Sequence, residues 1–301
     1  MRDPYNAHSH FIKPAWVLAD PWRIAVVLIG FELAFIATPE LIYYLTPWSV
    51  YNATYNQSET AFGTTLEFLS FGVVLALFVG LVRLFHRRGL QSLLGYGPLI
   101  ANYLRAGLFV GIALFVVEIA PPFIEWRDIV ETRDFVPWLL WLGPALVAIT
   151  IQSATEEIVY RGYLQQQLAV MAQSRWVWMG VPSVMFGAAH YFNGYGPSEG
   201  LLWAFWATLL GLACADLTAR TGNLGAAIGL HTVNNMFASV IVGIDGWPSS
   251  GLARYIYAYV DQSIYDYSLH TLLQPWALME VLISATGVAV MWLAARLAIR
   301  R

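Results

Sequence analysis

The chain has 301 residues, of which 58% are hydrophobic and only 12% charged, with a mean hydropathy of +0.57. Soluble domains carry about a quarter charged residues, so this composition excludes an ordinary soluble protein and requires lipid around the chain. A net charge of -3 without a basic run excludes nucleic acid as a partner, and the single cysteine, Cys214, excludes an internal disulfide framework and a cysteine-rich metal site.

In chain order, residues 1–22 are too short to fold alone and read as a cytoplasmic or interfacial segment along the membrane surface. Residues 23–301 read as one transmembrane domain. The first apolar run is too long for a signal-peptide core and lacks a small-residue cleavage site, so it is expected to be a retained span. Stretches of about 20 apolar residues cross a bilayer. They occur at Ile24–Leu45, Leu66–Phe85, Leu104–Ile124, Pro137–Leu168, Trp176–Tyr191, Leu201–Thr218, Leu224–Ile244 and Trp276–Ile299. The expected fold is all-α, a polytopic transmembrane helix bundle of about eight spans.

Lys and Arg gather on the cytoplasmic side of membrane proteins. Arg2, Lys13 and Arg23, then Arg83, Arg87, Arg88 and Arg105, then Arg175, Arg220, Arg296, Arg300 and Arg301 all fall on one side of an eight-span chain. Residues 47–67 and 192–200 on the other side have none, and only Arg127, Arg133 and Arg254 go against the pattern. This predicts both termini inside, in the plasma (inner) membrane. Two glycosylation sequons, at Asn52 and Asn56, read as chance occurrences.

Ionisable groups inside spans cost about 2.5 kcal/mol or more each at a helix centre, so each needs a partner or a function. Three spans carry such groups. The fourth holds Thr155-Glu156-Glu157-Ile158-Val159-Tyr160-Arg161-Gly162. Glu157 and Arg161 are four apart and suited to an ion pair, which leaves Glu156 unpaired on a neighbouring face. The fifth holds Phe186 and His190; the seventh holds His231, Asn234 and Asn235, with His231 and Asn235 four apart on one face.

A short link near Gln173-Ser174 makes the fourth and fifth helices an antiparallel hairpin. Glu156 lies about 17 residues before that turn and His190 about 16 after it, which sets them at matching depth. A carboxylate and an imidazole so placed can hold one water, a general base with its partner. His231, about 8 residues into its helix, comes out shallower. Asp216 pairs most naturally with Arg220, and Phe186 and Cys214 read as packing residues.

The order Glu-Glu-x-x-x-Arg-Gly, Phe-x-x-x-His and His-x-x-x-Asn over about residues 138–237 resembles the CPBP family of intramembrane glutamic endopeptidases, the type II CAAX prenyl proteases and bacteriocin-processing enzymes, also called the ABI family. The resemblance implies a membrane bundle with a cavity open to the cytoplasm. It makes Glu156 the base that activates water with His190, and His231 and Asn235 the stabilisers of the oxyanion. Glu157 and Arg161 would orient the site. It implies no metal and no cofactor, and a membrane-associated peptide, prenylated or a leader, as substrate.

Three other readings of the same residues stand beside this one. A catalytically silent scaffold, immunity or regulatory protein of this fold would bind a peptide without cutting it. A zinc-dependent hydrolase has candidate Glu and His ligands but lacks a His-Glu-x-x-His motif. A transporter would also place polar groups in spans, though here they cluster on only three.

Overall fold

The computed structural model describes residues 4–119, 128–247, 249–259 and 265–300. Within these, six helices are long and apolar enough to cross a membrane: Pro21–Leu45, Ala61–His86, Leu99–Glu118, Phe135–Met171, Pro197–Thr221 and Pro275–Ile299. A chain in lipid must satisfy its backbone N–H and C=O groups internally, and helices do so segment by segment. The protein is an all-α polytopic membrane bundle.

The helices are α1 (Asn6–Phe11), α2 (Pro21–Leu45), α3 (Trp48–Asn56), α4 (Ala61–His86), α5 (Leu90–Leu94) and α6 (Leu99–Leu114). They continue as α7 (Phe135–Glu157), α8 (Gln166–Met171), α9 (Val181–Ala189), α10 (Pro197–Thr221), α11 (Gly225–Met236) and α12 (Pro275–Ile299). A π-helical segment, Ile158–Gln165, joins α7 to α8 without a break. The chain then leaves the helix at residues 172–174, and α9 packs back against the π segment. The expected hairpin is present.

The two other expected spans are helical but interrupted, and neither is one long unbroken α-helix. Trp176–Tyr191 becomes a π turn (Trp176–Gly180), α9 and a 3-10 turn (His190–Asn193). Leu224–Ile244 becomes α11 and a π turn (Phe237–Ile241), then leaves the helix as strand β2 (Val242–Ile244). The cause lies in that end's composition: Ile241, Val242 and Ile244 are β-branched around Gly243, a pattern that suits a strand better than a helix. Its partner is β3 (Tyr255–Tyr257), which runs parallel to β2 and antiparallel to β1 (Ile129–Thr132). The order β1-β3-β2 makes a small sheet that hydrophobicity alone did not reveal.

Residues Gly225–Thr232 of α11 are all buried, enclosed by α6, α7 and α10. Glycine makes this possible. A Cβ at Gly225 would run into the carbonyl of Leu99, and one at Gly229 into that of Tyr103, so α6 and α11 approach backbone to backbone.

The N-terminal segment docks on protein. Phe11 and Ala15 are buried, His8 stacks on Trp178 with ring centroids 4.2 Å apart, and Tyr5 Oη donates to Asp216 at 2.6 Å. Asp216 also accepts from Arg220 at 2.7 Å and from Trp292 at 2.9 Å, so the expected i,i+4 pair becomes a junction of α10, α12 and the N-terminal segment. Arg2, Arg127, Arg301 and residues 120–124 of the third expected span lie outside the described residues.

Candidate active site

The two glutamates sit at the C-terminal end of α7, just before the π segment. A π segment inserts an extra residue per turn and re-aims the side chains around it, which is why such segments recur at functional sites. Glu157 and Arg161 are both fully buried and form the expected ion pair, Nη1 to Oε1, at 3.2 Å. The guanidinium also lies over the Phe186 ring, 4.5 Å from its centroid. Phe186 thus packs against a cation as well as apolar neighbours, and its ring touches the rings of His190 (4.4 Å) and His231 (5.8 Å).

His231, only 2% exposed, sits between the two glutamates. Its Nδ1 stands 2.9 Å from Glu157 Oε1, and a carboxylate paired with arginine accepts, so Nδ1 carries the hydrogen. Its Nε2 is 3.6 Å from Glu156 Oε2, too long for a hydrogen bond. Reckoning along the chain set His231 shallower than Glu156; the structure puts it alongside. The reason is that α11 begins inside the protein, so counting its residues from a membrane face misjudges its depth.

Glu156 is not left unpaired. Its Oε1 accepts from Gln152 Nε2 at 2.6 Å, while among the described residues Oε2 has no hydrogen-bond partner. Asn235 Nδ2 donates to Gln152 Oε1 at 2.8 Å, and Asn234 Nδ2 donates to Asn235 Oδ1 at 2.9 Å. His190 Nδ1 lies 2.8 Å from the Phe186 carbonyl, which can only accept, so Nδ1 is the donor and Nε2 is the acceptor of the neutral ring. No hydrogen bond among the described residues joins His190 to Glu156, although both line one cavity.

That cavity has a volume of about 1400 Å³, large beside the 300–1,000 Å³ of small-molecule sites. Gln152, Glu156, His190, His231 and Asn235 line it, along with Trp203, Trp206 and Trp276. Glu32 of α2, Glu118 beyond α6 and Glu280 of α12 line it too. Polar groups are therefore not confined to the three expected spans: α2, the turn that follows α6, and α12 contribute as well. Their signal was present as single acids within apolar runs. Gln152 was missed although it lies one turn before Glu156 on the same face. Among the described residues no group of three or more His, Cys, Asp or Glu is arranged to hold a metal ion. Cys214 is fully buried, its thiol 3.8 Å from the Ala227 carbonyl.

Comparison with known proteins adds an independent line. The family model described as type II CAAX prenyl endopeptidase Rce1-like matches residues 137–237. Uncharacterized protein YyaK of Bacillus subtilis (strain 168) is 28% identical over 137 residues, 44% of this chain and 46% of that protein. The match thus spans less than half the length of that relative. No solved structure matches the chain significantly. The matched region runs from the start of α7 to the end of α11 and holds every residue of the three motifs. Residues 137–237 are thus similar to the Rce1-like type II CAAX prenyl endopeptidases.

Proposed function

We propose that the protein is a metal-independent, glutamate-dependent intramembrane endopeptidase of the CPBP type, which hydrolyses a peptide bond in a membrane-associated peptide or protein. The observation that carries this reading is the state of Glu156: one carboxylate oxygen is held by Gln152, and the other, beside His231 at a cavity wall, has no hydrogen-bond partner among the described residues.

In the proposed reaction a water sits between Glu156 Oε2 and the unprotonated Nε2 of His190. Glu156 takes a proton as the water oxygen attacks the scissile carbonyl carbon. The resulting oxyanion is met by the second hydrogen of Asn235 Nδ2 and by His231. Nδ1 of His231 already donates to Glu157, so donation from Nε2 requires the imidazolium form, flanked by two carboxylates. Glu156 then passes its proton to the departing amine as the C–N bond breaks. Glu157 and Arg161 fix the tautomer and direction of His231 from behind.

The cavity volume and its tryptophans suit a peptide with an apolar or prenylated end. The distribution of Lys and Arg supports both termini on the cytoplasmic side of the plasma (inner) membrane. The test is a pool of prenylated and plain peptides incubated with purified protein, with products read by mass spectrometry. Discrete cleavage that survives chelation supports the reading. Binding without cleavage, or cleavage abolished by chelation and restored by Zn²⁺, contradicts it.

A further inference from the structure

Gln152 occupies a position that none of the three motifs includes. It is 6% exposed, one helical turn before Glu156 on α7, and its amide is the centre of a chain of side chains crossing from α11 to α7. Asn234 Nδ2 donates to Asn235 Oδ1, Asn235 Nδ2 donates to Gln152 Oε1, and Gln152 Nε2 donates to Glu156 Oε1, at 2.9, 2.8 and 2.6 Å. Ser153 Oγ also donates to Gln152 Oε1, at 3.2 Å.

The chain has a single possible direction. A carboxylate only accepts, so the Glu156 end must meet an NH₂ group, and that choice orients each amide behind it. Aligned donors and acceptors of this kind polarise one another in a poorly hydrated site.

The geometry points to Gln152 as a positioning residue for peptide-bond hydrolysis, one that engages Glu156 Oε1 so that Oε2 alone serves as the base. The same amide thereby holds Glu156 of α7 at a set distance from Asn235 of α11. Misplacement by about 1 Å at a reacting centre costs on the order of a hundredfold in rate. That is the loss expected when this tether is removed. The inference rests on the proteolytic reading above.

Its test uses the full-length protein in detergent micelles or nanodiscs. Gln152→Leu keeps the side chain's size but removes both amide groups; kcat is expected to fall about 100-fold with KM within about threefold of wild type. Gln152→Leu combined with Glu156→Gln is expected to be no slower than Glu156→Gln alone, because Gln152 acts through that carboxylate. An unchanged kcat, an effect confined to KM, or losses that multiply in the double variant would overturn the assignment. If Gln152→Leu does not fold, Gln152→Asn keeps an amide one methylene short of Glu156, and the same split between kcat and KM decides. If wild-type protein cleaves nothing, proteolysis itself fails. A thermal-unfolding cycle of Gln152→Leu with Asn235→Leu then shows whether the amide chain exists: coupling leaves it as a structural tether, additivity removes it, and either result overturns a catalytic role.

Discussion

His231 turns its Nδ1 to Glu157 at 2.9 Å, and Glu157 is in turn held by Arg161 at 3.2 Å, so an imidazole on the cavity wall rests on a fully buried ion pair. Removing one partner of such a pair leaves an uncompensated charge in the interior and costs about 3–5 kcal/mol, whereas replacing both by apolar groups is far milder. Arg161→Met is expected to lower the unfolding temperature sharply, and Glu157→Leu with Arg161→Met to recover most of that loss. Thermal unfolding in detergent measures both. Equal stability of all three proteins would show that the pair carries no burial penalty.

Gly211 of α10 faces the same pair. A Cβ there would lie 2.7 Å from Arg161 Nη2 and 3.0 Å from Ser183 Cβ, so Gly211→Ala must displace the guanidinium or α9. The expected result is a lower unfolding temperature and about tenfold slower cleavage, since Arg161 sets Glu157 and Glu157 sets His231. Gly80 has nothing within 4 Å of the corresponding position, and Gly80→Ala is expected to be neutral or stabilising by about 0.5–1 kcal/mol. The pair of variants separates the local clash from the general effect of alanine in a helix.

The oxyanion assignment gives a third expectation. His231→Gln and Asn235→Ala should each reduce kcat by about 10²–10³ while peptide binding is kept, the usual cost of one lost donor. Single-turnover rates with saturating peptide separate this from a binding defect. A loss seen only in KM would assign these residues to substrate binding.

A fourth prediction concerns the N-terminal segment. Burial of His8 against Trp178 holds its pKa down from 6.5 to about 4. The docked ring is therefore neutral, while an undocked ring takes up a proton below pH 6.5. Docking is at full strength above pH 6.5 and weakens as pH falls towards 4, by nearly tenfold per unit for one proton. Hydrogen exchange of residues 6–17 should show about 20-fold more opening at pH 5 than at pH 7. His8→Phe, which keeps the stacking without the titration, should flatten that dependence; a pH response unchanged in His8→Phe would assign it to another group.

Much of the architecture was readable from hydrophobicity, because lipid forces apolar runs into helices whatever their neighbours. The six helices long and apolar enough to cross begin or end within a few residues of the expected spans. What hydrophobicity could not give was the interruption of Trp176–Tyr191 and Leu224–Ile244 by π and 3-10 turns and by strand β2, since such breaks leave the apolar composition unchanged. The Glu157–Arg161 and Asp216–Arg220 pairs followed from helical spacing alone and are present. The partner of Glu156 did not. Depth along the hairpin set His190 level with Glu156 and His231 shallower; the structure sets His231 beside both glutamates, because sequence carries no record of how far α11 sinks between α6 and α7. Gln152 shares the face of Glu156, but a neutral amide in an apolar run gives no charge to draw attention to it.

The central claim is that Glu156 is the base for water. Its most direct measurement compares single-turnover cleavage of the best peptide by wild type and by Glu156→Gln, a substitution of equal size that removes the basic oxygen. Unfolding temperature and peptide affinity are followed alongside. The account predicts cleavage by wild type, loss of at least about 10⁴ in rate for the variant, and unchanged peptide affinity. Cleavage by Glu156→Gln within about tenfold of wild type would contradict it.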